Sequence, residues 1–167
     1  MRTIDQLCPN CGLCCDSTLF ADAELRPDDN AKRLAQLGLT IAKKGRRKLA
    51  FSQPCACFDG IYCKIYQDRP AQCRRFECGL VKRVAAGKMN VRTALEKIAD
   101  AKHRAEKVRT LLRDFGQNPV GKAMMHSYSQ AMSAPIDLSQ GDAMDRHSEL
   151  MESFRHLMEL LEKEFLR

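Results

Sequence analysis

All nine cysteines of this 167-residue chain, at 8, 11, 14, 15, 55, 57, 63, 73 and 78, fall in its first half, and four of them stand within eight residues in the run CPNCGLCC. No other feature limits the fold as much. An odd number of thiols cannot pair completely within one chain. Tryptophan is absent and aromatics make up only 6% of residues, so an ordinary aromatic-rich core is thin and the N-terminal half needs another source of stability. The stretch Met1 to Leu7 is polar and leads directly into Cys8, with no apolar leader segment. The expected setting is therefore cytoplasmic and reducing, where thiols are seldom kept as structural disulfides. Metal ligation becomes their leading use.

Cys8, Cys11 and Cys14 are each separated by two residues, a spacing that lets the chain wrap one centre and turn backbone N–H groups toward the sulfurs. Such CxxCxxC runs supply three ligands to an iron–sulfur cluster. Zinc sites use the same CxxC clamp, so the pattern points to metal and leaves zinc and iron–sulfur both open. Cys15 cannot easily join Cys14 on one metal, because consecutive side chains diverge. It is expected to reach a second centre completed from Cys55, Cys57, Cys63, Cys73 and Cys78, giving two four-coordinate centres, or one cluster and one zinc, with one thiol spare. The formal net charge of +7 counts cysteines as neutral. Ligated thiolates would add negative charge, and the basic excess is read as serving the site.

The chain changes composition near residue 80, which predicts a cysteine module over 1–80 and a helical region over 81–167 packing on it. Asn30 caps a short predicted helix through Ala31, Leu34, Ala35 and Leu37, ending near Gly38. The basic run from Lys43 to Lys48 is read as a solvated loop or hairpin tip in preference to a nucleic-acid patch, since no aromatic or Gly-rich RNA motif accompanies it. From Asn90, apolar residues recur at three- and four-residue steps to Phe115, predicting a strongly amphipathic helix. A second begins near Asp142, with Leu150, Met151, Phe154, Leu157, Met158, Leu161 and Phe165 on one face. The first is biased basic and the second acidic, which fits an antiparallel pair. The stretch from Val120 to Met132, following Pro119, is weakly helical, and the methionines are read as core filler. The fold class expected is mainly α, an irregular cysteine-rich metal-binding module joined to a C-terminal helical hairpin or small bundle.

CPNCGLCC, followed by Pro54-Cys55 and then by CKIYQDRPAQCRRFEC from Cys63 to Cys78, resembles the YkgJ-type cysteine-cluster family, also called the CxxCxxCC domain. Related motifs occur in flagellin lysine methylases. The resemblance covers Cys8 to Gly79 and implies zinc or iron chelation, with the family's positions falling on Cys8, Cys11, Cys14, Cys15, Cys55, Cys63, Cys73 and Cys78. Cys57 is then the extra thiol, although spacing leaves the choice between Cys55 and Cys57 open. Around the second group, Asp68-Arg69-Pro70 is a turn that brings Cys73 back toward Cys63. Arg69, Arg74 and Arg75 are placed to serve thiolates or carboxylates, and Tyr66 and Phe76 to shield the centre, so Tyr66, Arg69 and Arg74 are the expected supporting residues.

No HExxH, GxxxxGK or GxGxxG motif is present, and His103, His126, His147 and His156 show no ligand spacing. No nucleophile with a base can be named. The leading expectation is a metal-binding protein whose cysteine module is folded by zinc, an iron–sulfur cluster, or both, with a helical half that could dock a protein partner. The alternative is an iron–sulfur-dependent enzyme or subunit in redox chemistry or protein modification. A nucleic-acid partner is disfavoured. With no apolar run near 18 residues, no membrane span is expected.

Overall fold

The computed structural model describes residues 3–46, 48–118, 121–137, 139 and 141–167. Met1, Arg2, the Arg47 position of the basic run, and Pro119 and Val120 at the start of the weak helix lie outside the described residues. The elements run α1 (Thr3–Cys11), β1 (Asp22–Glu24), α2 (Ala31–Gln36), β2 (Ile41–Lys44), β3 (Lys48–Ser52), α3 (Ala71–Arg75), α4 (Gly79–Ala85), α5 (Val91–Asp114), α6 (Met124–Ser133) and α7 (Ala143–Leu161). A π-helical turn over Glu162–Leu166 continues α7. The expected class, mainly α with a cysteine-rich stretch near the N-terminus, is the one observed.

The long helix α5 forms where its pattern predicts. The Asn90 side chain accepts a hydrogen bond from the Thr93 N–H at 2.7 Å, satisfying one of the free donors of the first turn. Ala94, Ile98, Ala101, Ala105, Val108 and Leu112 then fall on one buried stripe. Three of these six are alanines, so neighbouring helices can approach this face closely. Helix α7 covers it with Leu150, Phe154, Leu157 and Leu161. The pairing is antiparallel, because partners run in opposite order along the two helices: Lys97 Nζ to the Glu164 carboxylate at 3.3 Å, Arg104 to the His156 carbonyl at 3.3 Å, and Lys107 Nζ to Glu149 at 3.1 Å. The opposite charge bias of the two sequences is spent on these contacts. Helix α6 adds Met124 and Ala131 to the core and stacks Tyr128 on Phe154. Among the methionines, Met124 is core filler, but Met125, Met144 and Met151 are about half exposed. Met151 leaves the apolar face because Leu150, Phe154 and Leu157 already occupy the narrow stripe toward α5.

The N-terminal helix was not apparent from the spacing of its cysteines. Pro9 lies inside α1 and removes one hydrogen bond. The helix persists because Ile4 and Leu7 bury against the same core as α4 and α5, joined just beyond its end by Leu13.

A second, smaller core lies under a three-stranded antiparallel sheet of order β1-β3-β2. Phe51 of β3 stands opposite Ala23 of β1 and Ile41 of β2. It packs with Leu34, Leu39, Ile65, Cys55 and Cys57. Two cysteines among six buried residues make this an apolar core too small to hold much structure alone. Lys44 and Lys48 pair across the β2–β3 hairpin and engage Asp22 and Glu24 of β1, at 2.7 and 2.9 Å. The basic run is thus a solvated hairpin whose lysines neutralise the neighbouring strand.

Helix α4 begins directly behind Cys78, and its first residue touches backbone. A Cβ on Gly79 would meet the carbonyl oxygens of Arg167 and Glu164, the latter at 2.7 Å. The close approach is held by Arg83, which donates to the Glu164 carbonyl at 3.0 Å and to its buried carboxylate at 2.5 Å. Gly→Ala in a helix ordinarily stabilises by reducing backbone entropy. Here the sign reverses: Gly79→Ala is expected to destabilise the protein by about 1–3 kcal/mol through overpacking, read as a lower denaturant midpoint, and an unchanged or higher midpoint would contradict the close contact.

Candidate metal centre

Cys8 and Cys11 occupy the last turn of α1, and three-residue spacing puts them on one face of the helix. Gly12 ends the helix with φ 77°, in the left-handed region that glycine enters at no steric cost. It also admits the Phe58 ring, whose tip would lie 2.6 Å from any Cβ at this position. Leu13, fully buried, anchors the turn, and its N–H donates to the Cys11 sulfur. Cys15 and Asp16 both donate their N–H to the Gly12 carbonyl, at 2.7 and 3.0 Å. The tight wrapping expected of the CxxCxxC run is therefore divided between a helix end and a turn.

Three further segments bring in the remaining thiols. Cys55 is pinned by its own N–H, which donates to the Cys15 carbonyl at 2.8 Å, while the Cys57 N–H donates to the Cys55 sulfur. Cys63 is bridged in antiparallel fashion to Phe58, across a turn in which Asp59 accepts from the N–H groups of Ile61 and Tyr62. Cys73 lies on α3. That helix is tied to the loop before α2 by the Ala71 N–H donating to Asp29 at 2.8 Å, by Arg75 to Asp28 at 2.9 Å and by Arg26 to Gln72 at 2.7 Å. Cys78 is the N-cap residue of α4.

The thiols act on one another in two sets. Cys78 acts on Cys8, Cys11 and Cys14; Cys8 acts on Cys11 and Cys14; and Cys14 also feels Cys11 and its neighbour Cys15. Cys15 feels Cys55, Cys73 and Cys63, and Cys73 feels Cys55 and Cys63. The two sets meet at the consecutive residues Cys14 and Cys15, where Cys15 also acts on Cys14. Burial is the first cause that pushes these thiols up, to about 11 at Cys8 and Cys55 and about 12 at Cys11 and Cys73, with Cys14 and Cys15 also raised. The mutual repulsion of thiolates adds to it.

One cavity of about 380 Å³ is lined by all eight of these cysteines, with Phe20, Phe51, Phe58 and Phe76 among its apolar walls. Cys57 does not line it. Its buried thiol donates instead to the Leu37 carbonyl at 3.6 Å. Among the described residues, no three His, Cys, Asp or Glu side chains converge where a single metal ion could be held. The eight sulfurs surround a shared space and do not close on one point.

The supporting residues differ in role. The Arg69 guanidinium lies 3.5 Å over the Tyr66 ring, and the Tyr66 hydroxyl donates to Asp5 of α1 at 3.2 Å. Arg74 donates to the Arg69 carbonyl at 2.6 Å and so fixes the turn before Cys73. Arg75 turns away to Asp28, and Phe76 meets Phe20 edge-on with centroids 5.0 Å apart. The fixed charges acting on the two sets include Asp5, Asp16, Asp29 and Glu77 and, opposing them, Arg69, while Arg26 is a second arginine lining the cavity. Spacing alone missed the Gly12–Phe58 contact and buried Gln53, which also lines the cavity. The glycine after CxxC was the available signal for the first; none existed for the second.

No helix among the described residues is long and apolar enough to cross a membrane. No curated protein and no solved structure matches the chain. A family model, CxxCxxCC, described as "Putative zinc- or iron-chelating domain", matches residues 7–105. The match begins one residue before Cys8, takes in every thiol that lines the cavity, and continues into α5. Extending over more than half of the sequence, it makes this chain a member of the CxxCxxCC family.

Proposed function

We propose that the protein binds metal at two thiolate centres, one held by Cys8, Cys11, Cys14 and Cys78 and the other by Cys15, Cys55, Cys63 and Cys73, and that the metal is iron in iron–sulfur form. The observation that carries this reading is the single cavity lined by eight thiols, in which Cys78 acts on Cys8, Cys11 and Cys14 while Cys55, Cys63 and Cys73 act on Cys15. A zinc site draws its sulfurs to within about 2.3 Å of one ion, hence roughly 3.8 Å of each other. Sulfurs spread around a shared space suit a centre with several metal atoms better than a bare ion. Bound iron–sulfur centres would supply one-electron chemistry. The chain's own part is to present eight sulfurs, donate the Leu13 and Cys57 N–H groups to two of them, and flank them with aromatic walls. Zinc, which the family's description equally names, is the competing occupant.

Anaerobic purification followed by metal and sulfide analysis and a visible spectrum separates the two. Iron with equivalent sulfide and broad visible absorbance is the expected result; colourless protein holding zinc would overturn the iron–sulfur reading and leave a chelating site. The two-set arrangement has its own test. Cys15→Ser is expected to remove about half of the bound metal and Cys78→Ser the other half, because thiolate is the ligand and a serine hydroxyl is a poor substitute. Cys57→Ser should keep the full complement. Complete metal loss from either single-set variant would mean that the eight thiols form one indivisible centre.

The raised thiols also make metal uptake and stability depend on pH. Held up to about 11 and about 12, Cys8, Cys11, Cys55 and Cys73 keep their protons at neutral pH in metal-free protein. Loading must then release close to one proton per ligating thiol, measurable with an indicator dye in weak buffer. For the metal-free form, the folded chain holds protons that the unfolded chain gives up near the ordinary thiol value of about 8.5. Its stability is therefore complete below that pH and falls as pH rises toward 11 to 12. Denaturant midpoints under reducing conditions should drop steadily above pH 8.5, and a flat profile would show that these thiols are not buried as described.

A further inference from the structure

Arg69 is a buried cation with an unanswered donor. It is 9% exposed, lines the cavity together with both sets of thiols, and its Nε has no hydrogen-bond partner. An unpaired buried donor on a charged group is costly. The structure nevertheless invests several contacts in placing it. Tyr66 lies beneath the guanidinium and is tied by its hydroxyl to Asp5, three residues before Cys8 on the face of α1 that carries that thiol. Arg74 holds the Arg69 carbonyl from the α3 side, next to Cys73. Thus a segment lying in sequence between Cys63 and Cys73 is anchored to the helix that bears the other set.

The charges nearby make this placement consequential. Asp5 and Glu77 act on Cys8, Asp16 on Cys11 and Cys15, and Asp29 on Cys73, all of the same sign as a thiolate. Arg69 opposes them at Cys8 in the first set and at Cys73 in the second. A centre of four thiolates is a net anion whether it holds an iron–sulfur cluster or one divalent ion, and in an apolar cavity an unpaired charge is expensive. Guanidinium suits such a position because it keeps its proton and spreads five donors in a plane, so one group can serve anions on two sides.

We propose that Arg69 is the shared counter-cation of the two thiolate centres, seated between them by Tyr66 and Asp5, so that one side chain stabilises the loaded form of both. This rests on the two-centre reading above. It assigns Arg69 a positioning and charge-balancing role, with Tyr66 as the platform.

The test uses full-length protein with wild-type, Arg69→Gln and Arg69→Lys chains, each also carried in the Cys15→Ser and Cys78→Ser backgrounds that retain one set apiece. Release of metal to excess EDTA is followed by absorbance and metal analysis. Arg69→Gln should accelerate release from both sets by about tenfold or more, and Arg69→Lys, which keeps the charge, should recover part of that loss in both. An effect confined to one set, an absent effect, or a lysine variant no better than glutamine would overturn the proposal. Far-ultraviolet circular dichroism checks the fold. If Arg69→Gln loses helix even without metal, Tyr66→Leu takes its place, since it leaves the cation but removes its seat. Faster release from both sets then supports the proposal, and release at the wild-type rate overturns it. A wild-type protein with only one centre would overturn the two-centre reading as well, whereas two centres with an asymmetric Arg69 effect overturn this proposal alone.

Discussion

The structure depends on holding eight thiols around one space, Cys55 buried and the other seven half-buried. Cys8, Cys11, Cys14, Cys15, Cys55 and Cys73 lose solvation on burial and feel neighbouring thiolates, and both effects push them toward the protonated form. Such a cluster cannot be a stabilising core in the way that leucines are. The chain manages it by surrounding the sulfurs with short pieces of backbone whose N–H groups and carbonyls are already engaged: Cys55 on the Cys15 carbonyl, the Leu13 N–H on the Cys11 sulfur, and the Cys15 N–H on the Gly12 carbonyl. Local geometry is thereby fixed by backbone bonds, and the sulfurs are left facing the shared cavity.

Two apolar cores support the two sets unequally. Cys8, Cys11 and Cys78 border the large core of α1, α4, α5 and α7, where fully buried Leu7, Leu80, Leu157 and Phe165 pack. Each such side chain contributes about 1.5–3 kcal/mol by leaving water. Cys15, Cys63 and Cys73 border the small core under the sheet, alongside Cys55, which is part of it. The helical half is thus a frame for one set. The other relies on a short sheet, on the Arg75–Asp28 ion pair and the hydrogen bonds around α3, and on what the thiols themselves bind. Glu164 extends the frame to the end of the described chain, since its buried carboxylate meets both Arg83 and Lys97 behind Cys78.

Much of this was legible in the sequence where a pattern is long or chemically unusual. Asn90 and the stripe from Ala94 to Leu112 specify α5 almost completely, because a capping side chain and a sustained helical period agree. The cysteine spacing pointed to the metal-chelating family that the chain belongs to, and the doubled cysteine is the basis of the two-centre proposal. Short elements were not legible. The strands Asp22–Glu24 and Ile41–Lys44 are too brief to show alternation, and α1 contains Pro9, which argues against a helix unless tertiary burial of Ile4 and Leu7 overrides it. That Cys55 lines the cavity while the Cys57 thiol turns to the Leu37 carbonyl depends on how a loop folds back, which no spacing rule encodes. Arg69 was visible as a neighbour of the cysteines, but its seat on Tyr66, which reaches Asp5 across 61 residues of chain, was not.

The seam at Cys14 and Cys15 has a mechanical consequence. Two successive α-carbons are about 3.8 Å apart across a trans peptide, whatever the rest of the molecule does. The two sets are therefore joined at a covalent pivot. Rotation of the sheet against the helices, or loosening of either core, can change their relative orientation but cannot separate them at this point. Proximity of the two sets is a property of the peptide bond, and so it outlasts any breathing of the tertiary structure.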